Sequence, residues 1–316
     1  MRRVTGLILA AIVLFSAYWG VAAYQGGFAG AARLDALPQV EGQMSRISGY
    51  PLRFETEIRA LRWQSRTGEV VWQADPVRLG ASSLRPWHLT ARFPQEQTLL
   101  LDGQSQILSN RDMQGEVIFL RDLTLGNATL AIEGAELSLA PGDVAVDVLT
   151  VGLSHAERTQ YELDLEMRAL TLPLPVLALI DPEQHLPATL GHIRARGSLH
   201  FAAALDPRRP APALKSILLD DLRAGWGPLD IGLAGEVTRS PQGLLDGSLR
   251  LSLSDWQVLH RMLVATGVLS PDAAFMAGMF LASQAAPGTA QVTLPLNLSG
   301  SVLAIGPFPL AQLPPL

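Results

Sequence analysis

Residues 49–63 read Gly49-Tyr50-Pro51-Leu52-Arg53-Phe54-Glu55-Thr56-Glu57-Ile58-Arg59-Ala60-Leu61-Arg62-Trp63. Leu52, Phe54, Thr56, Ile58 and Ala60 occupy every second position, and Arg53, Glu55, Glu57 and Arg59 fill the positions between. Successive side chains of an extended chain point to opposite sides. This stretch is therefore expected to be a half-buried strand, apolar inward and charged outward. A helix would scatter both classes around its circumference.

The same period-two pattern runs outward from there. Val70 to Gln73, Pro76 to Gly80, His88 to Phe93, Thr98 to Leu101 and Gln104 to Ser109 are expected strands separated by turn residues. Gly115 to Leu120, Leu123 to Leu125, Ala128 to Glu133, Ala135 to Ala140 and Asp143 to Leu153 follow, with tight hairpin turns expected at Gly126-Asn127 and Gly134. Tyr161 to Leu172, Ser216 to Ala224, Leu229 to Val237 and Leu245 to Leu253 continue the pattern. Leu174 to Ile180 reads as a helical turn, and Asp206 to Pro212 (DPRRPAP) as a loop. The fold class that follows is mainly β: a long, strongly twisted antiparallel sheet or half-open barrel.

Late in the chain the period changes. Over 254–285 a helical hairpin is expected, packed on or across the concave side of the sheet. Ser254 is the expected N-cap of its first helix, with Trp256, Leu259, Leu263 and Val264 as the apolar stripe. Ser270-Pro271-Asp272 opens the second, with Pro at the first helical position. Ala273 to Ala282 is apolar on every side, with Phe275, Met276, Met279 and Phe280 at its centre. Such a helix is ordinarily buried. Its 14 or so residues fall short of the roughly 20 that cross a bilayer. Residues 290–316 are expected as a closing hairpin (Val292 to Gly306) and a Pro-rich tail.

Val4 to Tyr24 (VTGLILAAIVLFSAYWGVAAY) carries no charge. At about 1.5 Å per residue it spans roughly 30 Å, the hydrocarbon thickness of a bilayer. Arg2 and Arg3 before it leave the N-terminus in the cytoplasm by the positive-inside rule, and Tyr18, Trp19 and Tyr24 sit where an aromatic belt meets the outer interface. Residues 1–24 are thus expected as a membrane anchor, 25–48 as a juxtamembrane linker with a short helix interrupted at Pro38, and 49–316 as an exported β-rich domain. A cleaved signal peptide ending near Ala22-Ala23 is the competing reading; bulky Tyr18 and Trp19 fit it poorly. Both readings place the domain outside the cytoplasm.

Charged residues make up 17% of the chain, below the roughly 25% of soluble domains. The chain has 24 basic residues; without Arg2 and Arg3, 22 face 29 acidic ones, a formal −7. Lys215 is the only Lys, and no basic stripe exists, so phosphate-rich nucleic acid is excluded as a partner. Docking on anionic headgroups by charge alone is excluded on the same ground. Cysteine is absent, which removes thiol catalysis, Cys-ligated zinc and disulfides.

No catalytic motif is present. His88, His155, His185, His192, His200 and His260 form no metal-type spacing; His192 and His200 share one strand-like stretch and one face, far apart. There is no G-x-S-x-G elbow and no phosphate-binding loop. Asp164 and Glu166 share a strand face, as on any wet sheet surface. Gly225-Trp226-Gly227-Pro228 reads as a turn with an anchoring Trp, or else as Trp226 at a membrane or partner interface. The expectation is a protein without enzymatic activity, cofactor or metal.

Several of these stretches together resemble a bacterial family, domain of unknown function 2125. They are Gly49-Tyr50-Pro51-Leu52-Arg53-Phe54, Trp72 to Gly80 with Arg85-Pro86-Trp87, Gly225 to Leu229, Gly247 to Trp256 and Gly306-Pro307-Phe308-Pro309-Leu310. Arg239-Ser240-Pro241 departs from the family pattern, which has an acidic, Gly-rich turn there. The resemblance implies no activity. The layout is also similar to AsmA-like envelope proteins, which implies an association with lipid movement between membranes by architectural analogy alone.

The functional expectation is a periplasmic protein, anchored in the inner membrane, that binds or shelters lipid-like ligands in envelope lipid traffic. Phospholipid or another acyl compound is the expected ligand, in a groove to which Phe275, Met276, Met279 and Phe280 contribute. The rival expectation is an envelope-assembly scaffold with a closed core and a protein partner.

Overall fold

The computed structural model describes residues 40–65, 68–140, 142–210, 212–266, 271–285, 290–305 and 308–313. The expected anchor, with Tyr18, Trp19 and Tyr24, lies outside them. Among the described residues no helix is long and apolar enough to cross a membrane. The chain is mainly β, with antiparallel pairing throughout, and it divides after Asp122 into two units.

The first unit holds β1 (Val40–Met44), β2 (Arg53–Gln64), β3 (Val70–Ala74), β4 (Val77–Ser82), β5 (Arg85–Arg92), β6 (Glu96–Leu101), β7 (Gln104–Ser109) and β8 (Asp112–Phe119). β1 corrects the expected linker: Val40, Gly42 and Met44 alternate inward and pair with β2, satisfying backbone groups a free linker would leave to water. The opening stretch is a strand as expected, but its alternation breaks once. Ala60 adopts φ 50°, and the β1–β2 register shifts there, so Ile58 and Leu61 both point inward. They pack with Ala74 and Val77, and Trp72 and Phe93 close over that cluster. β3 and β4 keep one register along β2 across Asp75-Pro76, Leu61 opposing Ala74 and Ile58 opposing Val77.

The second unit is a meander in which each strand pairs with the next. Its strands are β9 (Leu125–Leu137), β10 (Val144–Glu157), β11 (Gln160–Thr171), β12 (Thr189–Phe201), β13 (Leu214–Trp226), β14 (Leu229–Arg239), β15 (Leu245–Ser254), β16 (Val292–Ser299), β17 (Val302–Ile305) and β18 (Phe308–Gln312). Two expectations are corrected. Gly126-Asn127 and Gly134 are not turns: β9 runs unbroken through them for 13 residues, and Gly134 takes φ 58° inside the ladder. The tail after Gly306 is not merely Pro-rich coil, because Phe308–Gln312 adds a strand to β17. The glycines and prolines are genuine local breakers, but continuous cross-strand pairing overrides them.

Among the described residues three helices complete this unit: α1 (Leu174–Ile180), α2 (Trp256–Ala265) and α3 (Pro271–Gln284). The cap of α2 is Asp255, at φ 51°, and not Ser254, which is still the end of β15. Its buried side chains are Trp256, Val258 and Met262, while Val264 is exposed, so the stripe lies one position over from the expected one. α2 packs on β14, α3 packs on β16, and the two helices touch each other.

Candidate functional site

The registers of the second unit place its apolar side chains in rows that cross the sheet. In one row Leu130, Val151, Leu165 and Ala195 lie side by side on β9 to β12. Leu222, Leu233, Leu251 and Leu294 continue it on β13 to β16. The next row runs Ile132, Leu149, Met167, Ile193, then Ala224, Ile231, Leu253 and Val292. Each row is eight strands wide without one polar member. Neighbouring strands lie about 4.8 Å apart, so a row spans roughly 34 Å.

The opposite face is wet. Asp164 pairs with Arg196 at 3.2 Å, Glu166 with Arg194 at 3.5 Å, and Arg223 with Asp221 at 3.2 Å. His192 and His200 both stand on this face, as expected, at opposite ends of β12. A shallow polar depression of about 590 Å³ lies here, bordered by Asn127, Glu162, Asp164, Arg196 and Asp220. It forms where the β12–β13 and β13–β14 registers shift around Asp220. Gly197 is required there: a Cβ on it would sit 2.3 Å from the Leu218 carbonyl oxygen.

Burial along the apolar face is uneven. At the helical end Leu253 is 4% exposed, and Val292 and Leu294 are 1% exposed, covered by Trp256, Leu259 and Leu281. At the far end of β11, Tyr161 is fully buried, edge-on to Phe201 and His155, and its hydroxyl accepts from the Leu205 N–H at 3.0 Å. Between these ends Leu149, Val151, Leu163, Leu165, Met167 and Leu222 are only half-buried. A closed sheet core would bury such residues almost completely.

The Gly225-Trp226-Gly227-Pro228 turn is structural. The Trp226 indole N–H donates to the Pro187 carbonyl at 2.7 Å, and its ring joins Leu186, Leu229, Val258 and Met262. Gly227 has φ 59°, with Pro187 2.8 Å from where its Cβ would stand. Trp226 is therefore an anchoring side chain.

The four side chains expected in a groove have another surrounding. Phe275 is 67% exposed, Met276 60%, Met279 59% and Phe280 37%. They form one side of α3; Leu281, on the other, and Ala285, just past its end, join the cluster over β15 and β16. The expectation that an all-apolar helix is buried thus holds for one side only. A dry sheet face too wide for two short helices to cover is what the alternation leads one to expect, but the expected groove residues all lie on α3 and none on the half-buried rows of β9 to β13. Among the described residues no group of three metal-ligating side chains comes together.

A family model described as an uncharacterized protein conserved in bacteria, domain of unknown function 2125, matches residues 31–314. No curated protein and no solved structure matches the chain.

Proposed function

The chain belongs to that bacterial family, and we propose that it is a non-enzymatic periplasmic protein, anchored in the inner membrane, that shelters lipid-like apolar ligands in envelope lipid traffic. The observation that carries this reading is the half-buried stretch of the apolar row that holds Val151, Leu165 and Leu222, whose helical end at Leu294 is covered. A surface of that width, lined by Leu, Val and Ile, suits flexible acyl chains, which need apolar contact and no hydrogen bonds. The sheet works as a half-open trough: α2 and α3 cover one end and leave the centre to the ligand. The uncharged Val4–Tyr24 segment supports the location, since an anchor there keeps the trough beside a bilayer.

The test is retention of phospholipid. Delipidated full-length protein is reloaded with labelled phospholipid in detergent and passed through gel filtration beside a Val151→Asp/Leu165→Asp variant. The expected result is one to a few lipids per wild-type chain above the variant's level. Equal retention by both removes the reading. Co-purification of one specific envelope protein, with no excess lipid, establishes the assembly-scaffold reading instead.

A further inference from the structure

α3 has two apolar sides and only one is used by the fold. Gly278 faces His260, whose Nε2 stands 3.3 Å from the position of a Cβ, and Leu281 and Ala285 settle on the cluster of Leu253, Trp256 and Val292. On the far side Phe275, Met276, Met279 and Phe280 meet solvent. Four large apolar residues side by side on an exposed helix mark a contact surface.

We propose that this outward side of α3 lies in the membrane leaflet facing the domain and serves as the doorway between bilayer and trough. The inference rests on the lipid-sheltering reading above and adds the partner and the point of entry. Three observations select a bilayer as the occupant. First, no ionisable residue occurs from Ala273 to Ala285, and Ser283 on this side donates to the Phe280 carbonyl within the helix, so the side offers no charge for a protein rim to pair with. Second, Phe and Met are apolar and adaptable, and the helix, at 14 residues, is about 21 Å long; it can lie along an interface but not cross the roughly 30 Å core. Third, the chain outside the described residues includes the 21 uncharged residues Val4–Tyr24, the expected tether to that same bilayer. With a formal −7 beyond Arg3, the domain gains nothing from anionic headgroups, so its docking depends on apolar area and is not weakened by salt. The same helix touches the leaflet on one side and the Leu253–Val292 end of the apolar rows on the other. That end is covered, and the neighbouring strands of the same rows carry half-buried Ile231, Leu233 and Leu222, so an acyl chain leaving the bilayer beside α3 has only the helical end to pass.

The chain lacks cysteine, so single labels can be placed without background. Full-length Met279→Cys and Phe275→Cys are labelled with bimane and reconstituted in phosphatidylcholine–phosphatidylglycerol vesicles containing nitroxide-bearing lipid. Ser248→Cys, on the wet face of β15, is the control. The expected result is severalfold stronger lipid quenching at 275 and 279 than at 248, and no weaker at high salt than at low salt. Quenching no stronger than at 248 overturns the proposal, as does protection of 279 from aqueous iodide without lipid quenching, which would mean a protein covers the helix. Bound phospholipid is counted on the same preparations. Lipid retained without quenching sinks the doorway alone; quenching without retained lipid sinks the sheltering function and leaves α3 as a membrane contact.

Discussion

Leu165 and Leu294 sit in the same cross-strand row, and truncating each should separate a filled core from an open trough. Leu294 is 1% exposed beneath the helical cluster, so Leu294→Ala leaves a cavity and should cost about 3–4 kcal/mol. Leu165 is half-buried on β11. Removing its outer carbons forfeits about 2.4 kcal/mol at full burial, at about 0.8 kcal/mol per methylene; near half of that applies here. No closed cavity remains where the site is already open, so Leu165→Ala should cost about 1 kcal/mol. The expected gap of roughly 2 kcal/mol is easily read from urea unfolding of nanodisc-held full-length protein followed by Trp fluorescence. Lipid binding should order the variants the other way, with Leu165→Ala losing bound phospholipid and Leu294→Ala keeping it. Equal destabilisation at the two positions would refute the reasoning, because it would mean that the centre of the row is packed as tightly as its end.

Three other outcomes follow from specific contacts. Tyr161→Phe removes the acceptor of the Leu205 N–H and should cost about 1–2 kcal/mol, with faster amide exchange at Leu205 as the readout. Gly227→Ala forces a side chain onto φ 59° against Pro187 and should lower stability by about 1–3 kcal/mol, visible as a lower thermal midpoint; Trp226→Phe should cost about 1 kcal/mol through the lost bond to Pro187. The Asp206 carboxyl is held at about 2 by the Arg208 side chain and backbone N–H, with Arg209 adding to it. A carboxyl lowered in this way stabilises the folded loop above its ordinary value near 3.8, and that contribution fades as the pH falls towards 2. Arg208→Ala, which keeps the backbone N–H and Arg209, should raise the Asp206 pKa part of the way back towards 3.8 in a carboxyl carbon NMR titration.

Much of this architecture was legible because side-chain alternation encodes the faces of a sheet directly. Leu163, Leu165 and Met167 announce the dry side of β11 as plainly as Glu162, Asp164 and Glu166 announce the wet one. Period-two reading failed where a single backbone conformation changes the phase. Ala60 turns Leu61 inward beside Ile58, and nothing in Arg59-Ala60-Leu61 marks that position. Glycine misled in the opposite sense at Gly134, where partners on β10 hold an extended strand that local propensity would have turned. β1 was hidden because five residues carry too little pattern without knowledge of the β2 edge they pair with. For the candidate site, composition identified α3 as apolar all round. Only tertiary packing decides which of its sides is spent on the sheet, since Leu281 and Met279 are chemically alike.

The order of pairing in the second unit also bears on how the chain assembles. From β9 to β18 every strand takes its immediate predecessor as partner, so each hairpin can close as soon as its second arm has been made. α2 and α3 are encoded after β15. Seven strands of this unit therefore precede the two helices that cover Leu253 and Val292, and until those helices arrive the nascent sheet carries its widest stretch of unroofed, adhesive surface.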